Sequence, residues 1–62
     1  MIALKNYQHL NELLNQEELI RAVANHYSGL TKEPQIKTLY KNIIKQSEKN
    51  STDILKYLES HI

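Results

Sequence analysis

The residues that can interrupt a helix constrain this chain more than any other feature. Its 62 residues contain one glycine and one proline, and these two, Gly29 and Pro34, lie in the same short window. Sheet-rich folds need turn residues about every 8–12 positions, which this sequence does not supply. The pattern therefore predicts an all-α chain with one turn, and the length allows a single domain over residues 1–62.

Hydrophobic spacing predicts a first helix before this window, over about residues 6–28. Apolar side chains recur there at steps of three and four, which is the spacing of one helical face. Asn6 is the expected N-cap, and Gly29 occupies the position just past the helix, where a left-handed residue commonly follows. The predicted inner face comprises Leu10, Leu13, Glu17, Ile20, Ala24 and Tyr27.

A second helix is predicted over about residues 34–60, after a turn at residues 29–33. Thr31 is a suitable cap, and Pro34 lies in the first turn, where no backbone N–H is needed. A break near Asn50, whose neighbours are good caps, is the alternative and would give a three-helix bundle. The inner positions repeat in two heptad series, Tyr40, Ser47 and Ile54, and Ile44, Ser51 and Leu58.

The expected arrangement is an antiparallel hairpin of the two helices. A turn near residues 31–32 would bring Tyr27 close to Tyr40, and Tyr7 close to Tyr57. It would also bring a polar gap in one helix to the height of a polar gap in the other. We interpret these gaps as a hydrogen-bonded layer that fixes the register. The predicted layer comprises Gln16, Glu17, Ser47 and Ser51.

A hairpin of this size has difficulty building a core by itself. A domain of about 60 residues buries only about 60% of its unfolded surface, and a chain without cysteine has no disulfide to compensate. Burying four leucines outside the predicted seam would stabilise an assembly by roughly 6–12 kcal/mol before association costs. The sequence therefore predicts a homodimeric four-helix bundle, or contact with another helical protein. The predicted self-association residues are Leu14, Leu19, Leu39 and Leu55.

A row of lysines at i, i+4 spacing runs along the second predicted helix, and we call it the lysine ladder. It consists of Lys37, Lys41, Lys45 and Lys49. Such a row can bind the phosphates of a nucleic acid. However, Glu33, Glu48 and Asp53 interleave with it, and the chain has only one arginine, Arg21. We interpret the ladder as a solvated face, with a small nucleic-acid-binding regulator as the alternative function.

Signatures of catalysis, metal binding and membrane insertion are missing from the sequence. It has no glycine-rich phosphate loop and no cysteine nucleophile, and none of His9, His26 and His61 follows the Glu-x-x-His step of di-metal bundles. We therefore expect no enzymatic activity, metal, cofactor or small-molecule substrate. Because no apolar run approaches about 20 residues and the N-terminus lacks a signal-peptide pattern, we expect a cytoplasmic protein without membrane contact.

Between Leu13 and His61, the pattern LLNQEELIRAVANHYSGLTKEPQIKTLYKNIIKQSEKNSTDILKYL resembles ferritin-like helical hairpins of the spore-coat type. The shared features are the leading Leu-Leu, the helix-ending tyrosine, the Glu-Pro turn before a Leu-Tyr helix and the closing Leu-x-x-Leu. The resemblance implies a structural coat or storage-compartment role without catalysis. The usual ferritin metal ligands have no counterparts here, so metal storage is not implied. Small bacteriocin immunity proteins have a similar helical texture, which leaves an immunity or inhibitor protein as a third interpretation.

Overall fold

The computed structural model describes residues 3–61, which form two helices packed against each other as an antiparallel hairpin. Helix α1 spans Leu4–Leu30 and helix α2 spans Pro34–His61. The molecule is elongated, with extents of 47 × 15 × 10 Å. The predicted hairpin is confirmed. Met1, Ile2 and Ile62, which the sequence assigns to the same domain, lie outside the described residues.

Helix α2 continues without a break through Asn50 and the capping residues around it. The alternative three-helix bundle is therefore wrong. The uninterrupted heptad spacing explains this result, because Ser47, Ser51 and Ile54 all remain on the side of α2 that faces α1 only if the helix continues. Local preference for a cap is overridden by packing against the partner helix.

The ends of α1 differ from the prediction. Its N-cap is Ala3, which makes no side-chain capping bond, so Asn6 lies inside the helix rather than before it. At the other end α1 continues through Gly29, and within residues 3–61 no glycine has a positive φ. The predicted left-handed cap is therefore wrong. The helix instead ends at Leu30, and its C-cap is Thr31, whose extended backbone still donates its N–H to the carbonyl oxygen of Tyr27 at 3.0 Å.

The connection between the helices is three residues long. The hydroxyl of Thr31 accepts a hydrogen bond from the backbone N–H of Glu33 at 3.3 Å, so its side chain helps to shape the turn before α2. The carbonyl oxygen of Glu33 then accepts the N–H of Lys37 at 3.0 Å. Pro34 begins α2 as predicted, at a position where its missing N–H costs nothing.

The seam between the helices is narrow and is built from small side chains at its centre. Within residues 3–61 the buried side chains are Ala24, Ser47 and Leu58. Around them, half-buried residues follow steps of three and four along each helix, as in an antiparallel coiled coil. They include Leu10, Leu14, Glu17, Arg21 and Ser28 on α1, and Ile36, Tyr40, Ile44, Ser51 and Ile54 on α2.

The inner face of α1 is rotated from its predicted position. Ile20 and Tyr27, which were expected in the seam, are 42% and 49% exposed. Arg21 and Ser28 are half-buried instead. Ile20 and Arg21 both lie one helical turn before the buried Ala24, so spacing from Ala24 does not decide between them. The hydrogen bonds of Arg21 to Ser47 and Ser51 turn the Arg21 side of α1 towards α2. The larger apolar side chains are thereby displaced to one side of the hairpin.

Replacing Gly29 with alanine tests the end of α1. Gly29 is helical and a Cβ at this position would meet no atom within 4 Å. Since glycine inside a helix is destabilising relative to alanine, Gly29→Ala should raise the free energy of unfolding by about 0.5–1 kcal/mol. Chemical denaturation measures the change.

The matched control for this substitution is Ala22→Gly, at an exposed position of the same helix. It should lower the free energy of unfolding by a similar amount. A loss of stability in Gly29→Ala would contradict the helical conformation of Gly29 and would support the predicted left-handed conformation instead.

Candidate functional site

A polar network crosses the middle of the seam, and Ser47 is at its centre. Ser47 is only 2% exposed, and its hydroxyl donates a hydrogen bond to the carbonyl oxygen of Glu17 at 3.0 Å. The carboxylate of Glu17 accepts a hydrogen bond from Nδ2 of Asn50 at 3.3 Å. These contacts join the two polar gaps of the sequence, as predicted, through bonds between α1 and α2.

Arg21 supplies the strongest contacts of this network. Its Nη1 lies 2.6 Å from Oγ of Ser51, 3.1 Å from Oγ of Ser47 and 3.3 Å from the carbonyl oxygen of Ser47. The guanidinium group therefore bridges two successive turns of α2. A hydrogen bond that involves a charged group is stronger than one between neutral groups.

The sequence prediction of the polar layer is correct in part. Glu17, Ser47 and Ser51 contribute to the network, whereas Gln16 is exposed and lies outside it. Arg21 was missed, because the sequence argument considered it only as the one arginine available for nucleic-acid binding. Spacing alone does not identify it, because Ile20 lies three residues after Glu17 and four before Ala24 and fits the same face as well as Arg21 does.

The network leaves little capacity for a ligand. Among the described residues no buried side-chain nitrogen or oxygen lacks a hydrogen-bond partner. No group of three His, Cys, Asp or Glu side chains in residues 3–61 is arranged to hold a metal ion. The buried polar atoms of the network are therefore all paired within the described hairpin.

An open apolar groove lies beside the seam, in the half of the hairpin close to the turn. Its volume is about 350 Å³, and its lining consists of Leu19, Ile20, Val23, Ala24, Tyr40 and Ile43. Tyr27 extends this surface towards the turn by stacking on Tyr40, with ring centroids 6.2 Å apart. This stacking confirms the predicted Tyr27–Tyr40 pair.

We call the exposed side chains in and around this groove the apolar face. It comprises Leu19, Ile20, Val23, Tyr27, Leu39 and Ile43. Leu39 belongs to it because it lies one helical turn before Ile43 on α2. A smaller, more polar depression adjoins the groove and shares Ile20 and Ile43 with it. The apolar face therefore ends where Gln46 and Asn50 begin.

The predicted self-association leucines are distributed differently from expectation. Leu19 and Leu39 belong to the apolar face, and Leu55 is exposed near the open end of the hairpin. Leu14 is half-buried, so the prediction that it lies off the seam is wrong. It shares the stripe of Glu17 and Arg21, and the rotation of α1 brings this stripe towards α2.

Sequence reasoning missed the remaining members of the apolar face. Ile20 and Tyr27 were assigned to the seam, and Val23 and Ile43 were in none of the predicted sets. Their spacing contained the signal, since residues 20, 23 and 27 share one face of α1 and residues 39 and 43 share one face of α2. The phase of α1 decides whether that face points into the hairpin, and spacing alone left this phase open.

The lysine ladder lies along α2, and all four of its side chains are exposed. Lys49 pairs with Asp53 one turn later, at 3.1 Å. Among the described residues, this is the one ion pair within 4 Å. The interleaved Glu33 and Glu48 therefore do not pair with the ladder.

At the open end of the hairpin, Tyr57 stacks on His61 of its own helix, with centroids 4.1 Å apart. No aromatic stacking joins Tyr57 to Tyr7 in the part of the chain that the structure describes. Neither α1 nor α2 is long and apolar enough to cross a membrane.

The chain matches no protein-family model, no curated protein and no solved structure. The resemblance to ferritin-like hairpins therefore stays a prediction. Inferences about function depend on the chain's own surfaces, namely the polar network, the apolar face and the lysine ladder.

A double-mutant cycle on Arg21 and Ser51 tests the polar network. Arg21→Gln should lower the free energy of unfolding by about 1–2 kcal/mol, because it leaves partly buried hydroxyl groups without their charged donor. When Arg21→Gln and Ser51→Ala are combined, the change in the free energy of unfolding should differ from the sum of the two single changes by about 1 kcal/mol. The reason is that the two residues contact each other directly. Urea denaturation of the four proteins gives this coupling energy.

The exposed pair of Lys49 and Asp53 provides the control cycle. Its coupling energy should stay below about 0.5 kcal/mol, because solvent screens an exposed ion pair. Equal coupling in the two cycles would show that the Arg21 network contributes no more than a surface contact.

Proposed function

We propose that this chain is a non-enzymatic assembly module, a helical hairpin that acts by associating with another copy of itself. The observation that carries the proposal is the apolar face, which remains exposed on a hairpin with very little core. The cytoplasm is the proposed compartment. The coat or storage role implied by the ferritin-like resemblance would use the same self-association.

The imbalance between buried and exposed apolar side chains supports this proposal. Within residues 3–61 the buried apolar side chains are Ala24 and Leu58, whereas 11 large apolar side chains are exposed. Hydrophobic burial is the main term that offsets the loss of chain entropy on folding. A chain this small that lacks disulfides needs another source of stability, and association with a second chain supplies one.

Closed two-fold symmetry is the commonest solution for such a surface. Two hairpins that pack through the same face form a four-helix bundle and bury both copies of that face together. The lysine ladder does not interfere, because Lys41 lies two residues, or about half a helical turn, from Leu39 and Ile43.

Sedimentation equilibrium at micromolar concentration tests the proposed assembly. We expect a mass of twice 7.3 kDa. We also expect the melting temperature to rise with protein concentration, because dissociation and unfolding are linked by mass action. A folded particle of 7.3 kDa whose melting temperature is independent of concentration would rule out self-association.

The lysine ladder supports a second candidate function, that of a small nucleic-acid-binding regulator. Lys37, Lys41 and Lys45 are exposed, and in the described part of the chain no acid pairs with them. Such side chains are free to contact phosphates. Two features weigh against this function, because acids interleave with the ladder and the one arginine is engaged inside the seam.

Replacing Lys41 and Lys45 with glutamine separates the two candidate functions. If the ladder is a solvated face, this double variant should keep the oligomeric state and melting temperature of the wild type. The wild type itself should show no tight binding to DNA or RNA at physiological salt.

Fluorescence anisotropy with labelled oligonucleotides measures this binding. The control is the double variant Lys5→Gln and Lys32→Gln, which has the same net charge as the ladder variant but leaves the ladder intact. Tight, salt-sensitive binding that is lost only in the ladder variant would favour the regulator.

A further inference from the structure

We propose that the apolar face is the surface on which a second copy of this chain docks, with the two grooves facing each other across a two-fold axis. This inference rests on the proposed function and specifies the site of association. It replaces the set of four leucines expected from the sequence, because Leu14 is half-buried and Leu55 is far from the groove along the helices.

The exposed area of the hairpin is consistent with a missing partner. The chain exposes 5034 Å², whereas a folded monomer of its mass typically exposes about 4,200 Å². The excess is therefore about 800 Å², close to the area that each partner buries in a stable interface of standard size. One face of a hairpin in contact with another provides an interface on this scale.

The apolar face carries both a projecting side chain and a recess. Ala24 is a small residue in the lining of the groove, and Leu19 projects beside it with 64% of its surface exposed. A knob and a hole therefore occur on the same surface. In a two-fold interface each copy offers both features to the other, which is the packing found in helical bundles.

The charge distribution also favours the apolar face, rather than the side of the hairpin that carries Leu55, as the surface on which a second copy docks. None of the six side chains of the apolar face is charged, so two identical faces meet without repulsion between like charges. By contrast, Leu55 shares its side of α2 with Glu48 and Lys41, at steps of seven residues. Docking there would remove charged groups from water, which is costly unless each finds a partner.

Single cysteines provide a direct test, because the chain contains none of its own. Val23→Cys lies in the apolar face, and Leu55→Cys is the matched control, since the native side chains are 44% and 48% exposed. Each variant is first examined by circular dichroism and sedimentation, and then treated with a short bismaleimide. We expect Val23→Cys to cross-link into dimers at least about tenfold faster, because groups held in a complex react at millimolar effective concentration.

The remaining outcomes are also decisive. If Val23→Cys stays helical but loses the dimer while Leu55→Cys keeps it, Val23 again lies in the interface. Three outcomes would show that association uses another surface. The two variants cross-link at the same rate, Leu55→Cys cross-links faster, or neither variant cross-links although the protein is dimeric. A monomeric wild type would instead refute the proposed function itself, so the two failures are distinguishable.

Discussion

Ala24 and Ser47 bring the two helices together through small side chains, and both are almost completely buried. With small residues at the centre of the seam, the backbones approach closely and neighbouring positions determine what else fits. Three hydrogen bonds from Arg21 to Ser47 and Ser51 turn towards α2 the side of α1 that carries Arg21. As a consequence, Ile20 and Tyr27 lie beside the seam, and the apolar face arises from the way the hairpin packs.

The Arg21 network has a different role from hydrophobic packing. Taking a guanidinium group partly out of water is costly, and several hydrogen bonds with good geometry are needed to offset this cost. Arg21 makes three, all to Ser47 and Ser51. Sliding one helix by a turn would break them and leave the charge without its acceptors. In this respect the network resembles the buried polar residues that specify register in coiled coils.

The sequence predicted the features that depend on spacing along the chain. One glycine and one proline in a single window, together with the heptads of α2, were enough for the hairpin, its turn and the burial of Ser47. The phase of α1 was not predictable in this way. Its apolar residues occupy more than one face, and the choice between Ile20 and Arg21 as the inner residue depends on how closely the helices approach. The identity of Gly29 suggested a left-handed cap, but the helical bond from Thr31 to Tyr27 keeps Gly29 inside α1.

In both cases hydrogen bonds decided the outcome, those of Arg21 to α2 for the phase of α1 and that of Thr31 to Tyr27 for its end. They also explain why the apolar face was only partly identified from the sequence. Leucine spacing found Leu19 and Leu39, but the rest of the face depends on the rotation of α1, which Ala24 and Arg21 fix together. If this rotation creates the docking surface, folding and assembly are coupled. In that case the polar network would select the register of the hairpin, that register would expose the apolar face, and a second copy would supply the burial that the narrow seam lacks.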